Sequence, residues 1–196
     1  MYDKVAQLEE IYASFEAAAA DFKSAAACAK GCSFCCTDAG SIHITTLEGL
    51  AILKALDRLA KAQKVAAGKS LIKDMQRRQK GLPSPCPFLM KNKACMIYRR
   101  RPFACRRIYS LETCSSLRPP IINRRVMELG ADTIRALQRL DGTGYSGHLS
   151  FILHMLQNPG FRKTYLAGEF EPGQIADFGK AHRIIINHMV SGDAAA

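Results

Sequence analysis

Apolar residues recur at helical spacing through most of the chain. Val5, Leu8, Ile11, Tyr12, Phe15, Ala19 and Phe22 recur at helical spacing, and the alanines at 17–20 and 25–27 favour the same state. The pattern predicts a helix over residues 2–30, stopped at Gly31. Ile42 and Ile44 alternate across GSIHIT (residues 40–45), the signature of a short strand. Thr45 and Glu48 then form a capping-box pair opening a helix whose apolar face carries Leu47, Leu50, Leu53 and Leu56. Gly68 is expected to break that helix. Helical periodicity resumes through Ile122, Val126, Leu129, Ile134 and Leu137 in residues 121–140, and again in 148–156 and 174–190. Residues 83–118, interrupted by Pro83, Pro85, Pro87 and Pro102, read as irregular. The expected fold is a mostly α helical bundle with an irregular, cysteine-rich, metal-stapled centre and at most a short strand pair. Residues 1–118 are expected to form a metal-binding domain and 119–196 a helical segment packed on it.

A chain of 196 residues with 48% hydrophobic and 23% charged residues has enough apolar surface for a core without covalent staples. Its eight cysteines therefore need another account. The segment MYDKVAQLEEIY carries acidic charge where a secretory leader would be basic and then apolar. The longest run without Asp, Glu, Lys or Arg, Gly142–Phe161, contains two histidines and four glycines and is too polar to span a bilayer. These features imply a cytoplasmic protein with no membrane partner. Thiols are reduced there, so clustered cysteines point to a metal rather than to disulfides.

The cysteines form two groups: Cys28, Cys32, Cys35 and Cys36, then Cys86, Cys95, Cys105 and Cys114. Cys32-x2-Cys35 can aim two sulfurs at one ion from a tight turn. Cys36 directly follows Cys35, and adjacent side chains diverge, so the pair is expected to serve different sites or to include a spare thiol. The second group has gaps of eight, nine and eight residues, too long for a knuckle but suited to bringing single ligands to a site nucleated by the first group. All eight are candidate metal ligands, for zinc or an iron–sulfur cluster.

Charge changes the picture further. Of the formal net charge of +11, residues 83–125 supply +9, ten Lys or Arg against Glu112 alone. Arginines beside thiolates favour the deprotonated form and offset its charge. The same patch could contact an acidic protein or nucleic acid, although no base-reading motif accompanies it. Gly142-Thr-Gly144-Tyr-Ser-Gly147 satisfies G-x-G-x-x-G, but a helix precedes it, which argues for a helix–helix loop over a dinucleotide site. The pairs His148/His154 and His182/His188 are six apart and share no helix face. His43, seven residues after Cys36, is the best candidate for an auxiliary ligand.

Cys32-x2-Cys35-Cys36, Ile44-Thr45 with Glu48, Cys86-Pro87-Phe88-Leu89, Cys95-Met96-Ile97-Tyr98, Arg101-Pro102 and Cys105-Arg106, in this order, resemble the YkgJ-type cysteine-cluster family, also known as CxxCxxCC. The resemblance covers about residues 28–118 and implies zinc or an iron–sulfur cluster held by these cysteines. It marks Cys32, Cys35, Cys36, Cys86, Cys95 and Cys105 as the ligand pool, and Tyr98, Arg101 and Arg106 as accompanying residues. The family opens C-x2-C-x2-C-C, whereas Cys28 precedes Cys32 by one residue more. A related cysteine arrangement in flagellin lysine N-methylases implies iron–sulfur-dependent methyl transfer or redox catalysis as the alternative to a structural or redox metal centre.

Overall fold

A computed structural model of the chain describes residues 2–29, 31–37 and 42–182. Among these residues it is mostly helical, with one two-stranded antiparallel sheet. The expected N-terminal helix is divided into α1 (Tyr2–Ala18) and α2 (Ala20–Ser24). The alanines at 25–27 lie outside both, because the Ala27 N–H donates to the Ser110 carbonyl at 2.8 Å instead of closing another helical turn. A tertiary bond there overrides local propensity.

One turn, α3 (Phe34–Thr37), carries Cys35 and Cys36. Strand β1 (His43–Thr45) then leads directly into α4 (Thr46–Leu56), and the expected capping box is present. The Thr45 hydroxyl accepts from Glu48 N, and the Glu48 carboxylate accepts from Thr45 N at 2.8 Å. Helix α4 stops at Asp57, and α5 (Lys61–Gln79) runs through Gly68 unbroken. A single interior glycine costs about 1 kcal/mol, too little to end a 19-residue helix.

The proline-rich stretch is irregular apart from a 3-10 turn at Tyr98–Arg100 and the single turn α6 (Phe103–Arg106). Helix α7 (Arg124–Leu140) follows, then β2 (Ser146–His148), α8 (Leu149–Gln157), α9 (Pro159–Ala167), a 3-10 turn at Pro172–Gln174 and α10 (Ile175–His182). The glycine-rich GTGYSG segment thus becomes a turn and a strand, with Ile44 paired to Gly147. The expected helix over 174–190 is described to His182, and His188 lies outside the described residues. No described helix is long and apolar enough to cross a membrane.

Two core clusters meet at α4. One joins Leu50 and Ile52 to α8, α9 and α10; the other joins Leu47 to α1, α6 and α7. Glu48 is buried between them, 3% exposed, and also accepts from Tyr12 Oη at 2.6 Å and Phe103 N at 2.8 Å. One carboxylate therefore fixes α1, α4 and α6 together and sets where Cys105, on α6, faces. The cysteine-bearing segments pack on the rim of the first cluster through Cys86, Cys95 and Cys105.

Candidate metal centre

Gly31, at φ +91°, turns the chain into Cys32, whose N–H donates to Ala29 O at 3.0 Å. The α3 turn closes with Cys36 N and Thr37 N both donating to Ser33 O, at 2.8 and 3.0 Å. Successive residues of a helix point about 100° apart rather than to opposite sides. That geometry brings the neighbours Cys35 and Cys36 to one place. The Cys35 thiol donates to Cys36 and the Cys36 thiol donates to Cys86.

Backbone bonds deliver the remaining sulfurs. Cys86 N donates to Cys36 O at 2.7 Å, tying the second segment to the first. A bridge between Leu89 and Cys95, with Met96 N bonded to Phe88 O at 2.9 Å, folds Cys95 back toward Cys86. Lys93 takes a left-handed φ of 63° at the tip of this hairpin. Pro102 directs the chain into α6, where Cys105 N donates to Pro102 O at 3.0 Å.

The five thiols Cys35, Cys36, Cys86, Cys95 and Cys105 act on one another. The hydrogen bond to Cys36, then burial, pushes Cys35 far above the ordinary thiol range. Cys36 is pushed up to about 11: its hydrogen bond from Cys35 lowers it, but the one to Cys86, burial, and the Cys86 and Cys95 charges outweigh that. Burial, then the charges of Cys36, Cys35 and Cys95, raises Cys105; burial also raises Cys95, against an N–H bond from Ile97 and the pull of Arg101. Without a cation Cys35, Cys36, Cys95 and Cys105 keep their protons. Among the described residues no three Cys, His, Asp or Glu side chains are already arranged to hold an ion. Cys35, Cys36 and Cys86 bond to one another, and ligation would replace those bonds.

Arg101 faces this group. Its guanidinium lowers the Cys35, Cys95 and Cys105 thiols and stacks 4.3 Å above the Tyr98 ring. Its Nε is buried with no hydrogen-bond partner. Such a donor costs about 1–3 kcal/mol and lacks an anionic acceptor. A pool of soft sulfur donors beside an unpaired guanidinium N–H fits a thiolate-bound metal.

The other sequence candidates stand elsewhere. Arg106 is occupied: it pairs with Glu16 at 2.5 Å, donates to Arg101 O at 2.9 Å and Arg99 O at 3.2 Å, and stacks on Tyr12. It braces the loop that carries Arg101. Tyr98 is 63% exposed and covers Arg101 rather than the sulfurs. Cys28 accepts from Ser110 N at 3.3 Å, and Cys114 contacts Glu112 O at 3.8 Å. Cys32 is exposed. None of these three is a hydrogen-bond partner of the five. His43 stands opposite His148 across the strand pair. Glu16 and Glu48, which support the site from a distance in sequence, carried no motif beyond the capping box.

No curated protein and no solved structure matches the chain. Residues 27–122 match the family model CxxCxxCC, described as a "putative zinc- or iron-chelating domain". That span contains all eight cysteines and both segments that meet at Cys36 and Cys86. Through that match, residues 27–122, about half of the chain, are identified with the CxxCxxCC domain.

Proposed function

We propose that the protein carries one thiolate-ligated metal centre, zinc or an iron–sulfur cluster, drawn from Cys35, Cys36, Cys86, Cys95 and Cys105. The observation that carries this reading is that thiols from two separate segments, Cys35 and Cys36 with Cys86, Cys95 and Cys105, act on one another, while Arg101, whose Nε is buried without a partner, acts on Cys35, Cys95 and Cys105. Zinc would supply a redox-inert clip between residues 31–37 and 86–105, and a cluster would add one-electron chemistry at the same place. The chain's own residues do the rest. Arg101 offsets thiolate charge, the Ile97 N–H supports the Cys95 sulfur, and Arg106 and Glu16 hold the 99–101 loop in position.

Elemental and acid-labile sulfide analysis of protein prepared without oxygen tests this. Stoichiometric zinc in a colourless protein, or iron with sulfide in a brown one, supports the reading and names the metal. Cys36→Ser and Cys105→Ser are expected to lose metal, whereas Cys114→Ser retains it. A metal-free protein, or full occupancy in the Cys36/Cys95/Cys105 triple serine variant, overturns it.

A further inference from the structure

A second site lies on the other side of α6 from the sulfurs. A cleft of about 240 Å³ opens between the strand pair, α6 and α7. Its walls are apolar where Ile44, Phe103 and Leu137 contribute, and polar where Arg107, Gln138 and Ser146 do. Two polar atoms of this wall are unsatisfied. Arg107 Nε and Ser146 Oγ are both buried without a hydrogen-bond partner, and Ser146 is 5% exposed. Leaving two such donors unpaired in one wall costs about 1–3 kcal/mol each, and a single two-oxygen acceptor would satisfy both.

Arg107 is held for this role. Its backbone N–H closes α6 onto Phe103 O at 3.1 Å, and its methylenes lie across Gly130 of α7, where an added Cβ would meet Arg107 Cδ at 3.5 Å. Among the described residues it has no carboxylate partner. Glu48 also lines the cleft but is spent on Tyr12, Thr45 and Phe103. Its negative charge opposes a second charge on any occupant. The volume is below the ~300–1,000 Å³ usual for drug-sized ligands.

The geometry points to a binding site for a small monocarboxylic acid with an apolar tail, its carboxylate on Arg107 and Ser146 and its tail against Ile44, Phe103 and Leu137. None of the five thiols lines this cleft.

The test is calorimetric titration of the full chain, prepared without oxygen, with 3-methylbutanoate, 3-methylbutanamide and inorganic phosphate. The acid is expected to bind at least about tenfold more tightly than the neutral amide, as loss of a charge-assisted pair implies, and more tightly than phosphate. Arg107→Gln is expected to abolish the preference for acid over amide, and Ser146→Ala to weaken the acid several-fold. Equal binding of acid and amide, no binding of the acid, or tighter binding of phosphate overturns the proposal. These comparisons use the unsubstituted protein, so they decide even where a variant fails to fold.

Discussion

The backbone N–H of Cys86 donates to the carbonyl of Cys36 at 2.7 Å, while the Cys36 thiol donates to the Cys86 side chain. The two residues are thus bound twice, by main chain and by sulfur. The main-chain bond fixes the spacing of the two cysteine segments independently of any ion. The sulfur bond is the part that a metal would replace. On the proposed reading, the protein holds these thiols near one another before loading, and the protons between them are what loading would displace.

Metal binding should release protons. Cys36 is held at about 11, and Cys35, Cys95 and Cys105 are also raised, so at pH 7 these thiols are protonated when free and deprotonated when ligating. A tetrathiolate zinc would liberate about four protons per ion. The released acid can be counted with an indicator dye in weak buffer, and apparent affinity should rise steeply with pH. Fewer than about two protons per zinc would mean that other groups ligate it.

Arg101→Gln should weaken metal affinity by about 10–100-fold, the range for loss of a group supporting a ligand, with the fold intact by circular dichroism. Arg101→Lys should recover part of it, since charge returns without the planar fork that stacks on Tyr98. Arg106→Gln should act differently. It removes the bonds to Glu16, Arg99 O and Arg101 O, so the thermal midpoint should fall together with metal affinity. Competition with a chromophoric chelator, run beside a melting curve, separates the two.

At Gly49, α4 lies close against the side chains of α8. A Cβ built there would lie 2.8 Å from Ile152 Cγ2 and 2.9 Å from Leu156 Cδ1. Gly49→Ala gains helix propensity but forces the Ile152 and Leu156 side chains of α8 to shift. The net expectation is a loss of about 1–3 kcal/mol in urea unfolding, whereas Gly68→Ala, with open space around it, should stabilise by up to about 1 kcal/mol.

The helices were legible because their signals are local. The Thr45–Glu48 box and the periodicity of residues 121–140 need only neighbours in sequence, and both appear as α4 and α7. The strand β2 was hidden because its three residues, Ser-Gly-His, have no β pattern and are defined only by their partner β1, about 100 residues earlier. The cysteines announced a metal site by density. Which of them meet was set by the Cys36–Cys86 backbone bond and by a helical turn at α3, neither written in the spacing. Arg107 was one of ten basic residues in 83–125 and Ser146 one position of the glycine-rich segment; what sets them apart, burial without a partner, arises only in the folded chain.

Asp141 should make the protein less stable as pH rises through the weakly acidic range. Its carboxylate is 1% exposed, accepts from Leu47 N at 2.8 Å and Tyr165 Oη at 2.7 Å, and so caps α4 and anchors α9. Burial outweighs these two bonds and lifts it from 3.8 to about 7. The folded state thus holds a proton that the unfolded chain releases above about pH 4. The stability this contributes is complete below that value, declines as pH rises, and is gone above about 7, a loss of roughly 4 kcal/mol. Asp141→Asn keeps a neutral group in place. Its carbonyl can accept from Leu47 N while its amide donates to the Tyr165 hydroxyl, which turns to accept. His148 has the opposite sign: burial first, and then Arg78, holds it below its usual value, so its contribution is lost as pH falls. In the parent the two trends oppose each other between about pH 4 and 7. In Asp141→Asn only the His148 trend remains, so urea midpoints should rise with pH across that range and exceed the parent's above pH 7. Parallel curves for the two proteins would show that Asp141 is already ionised in the fold.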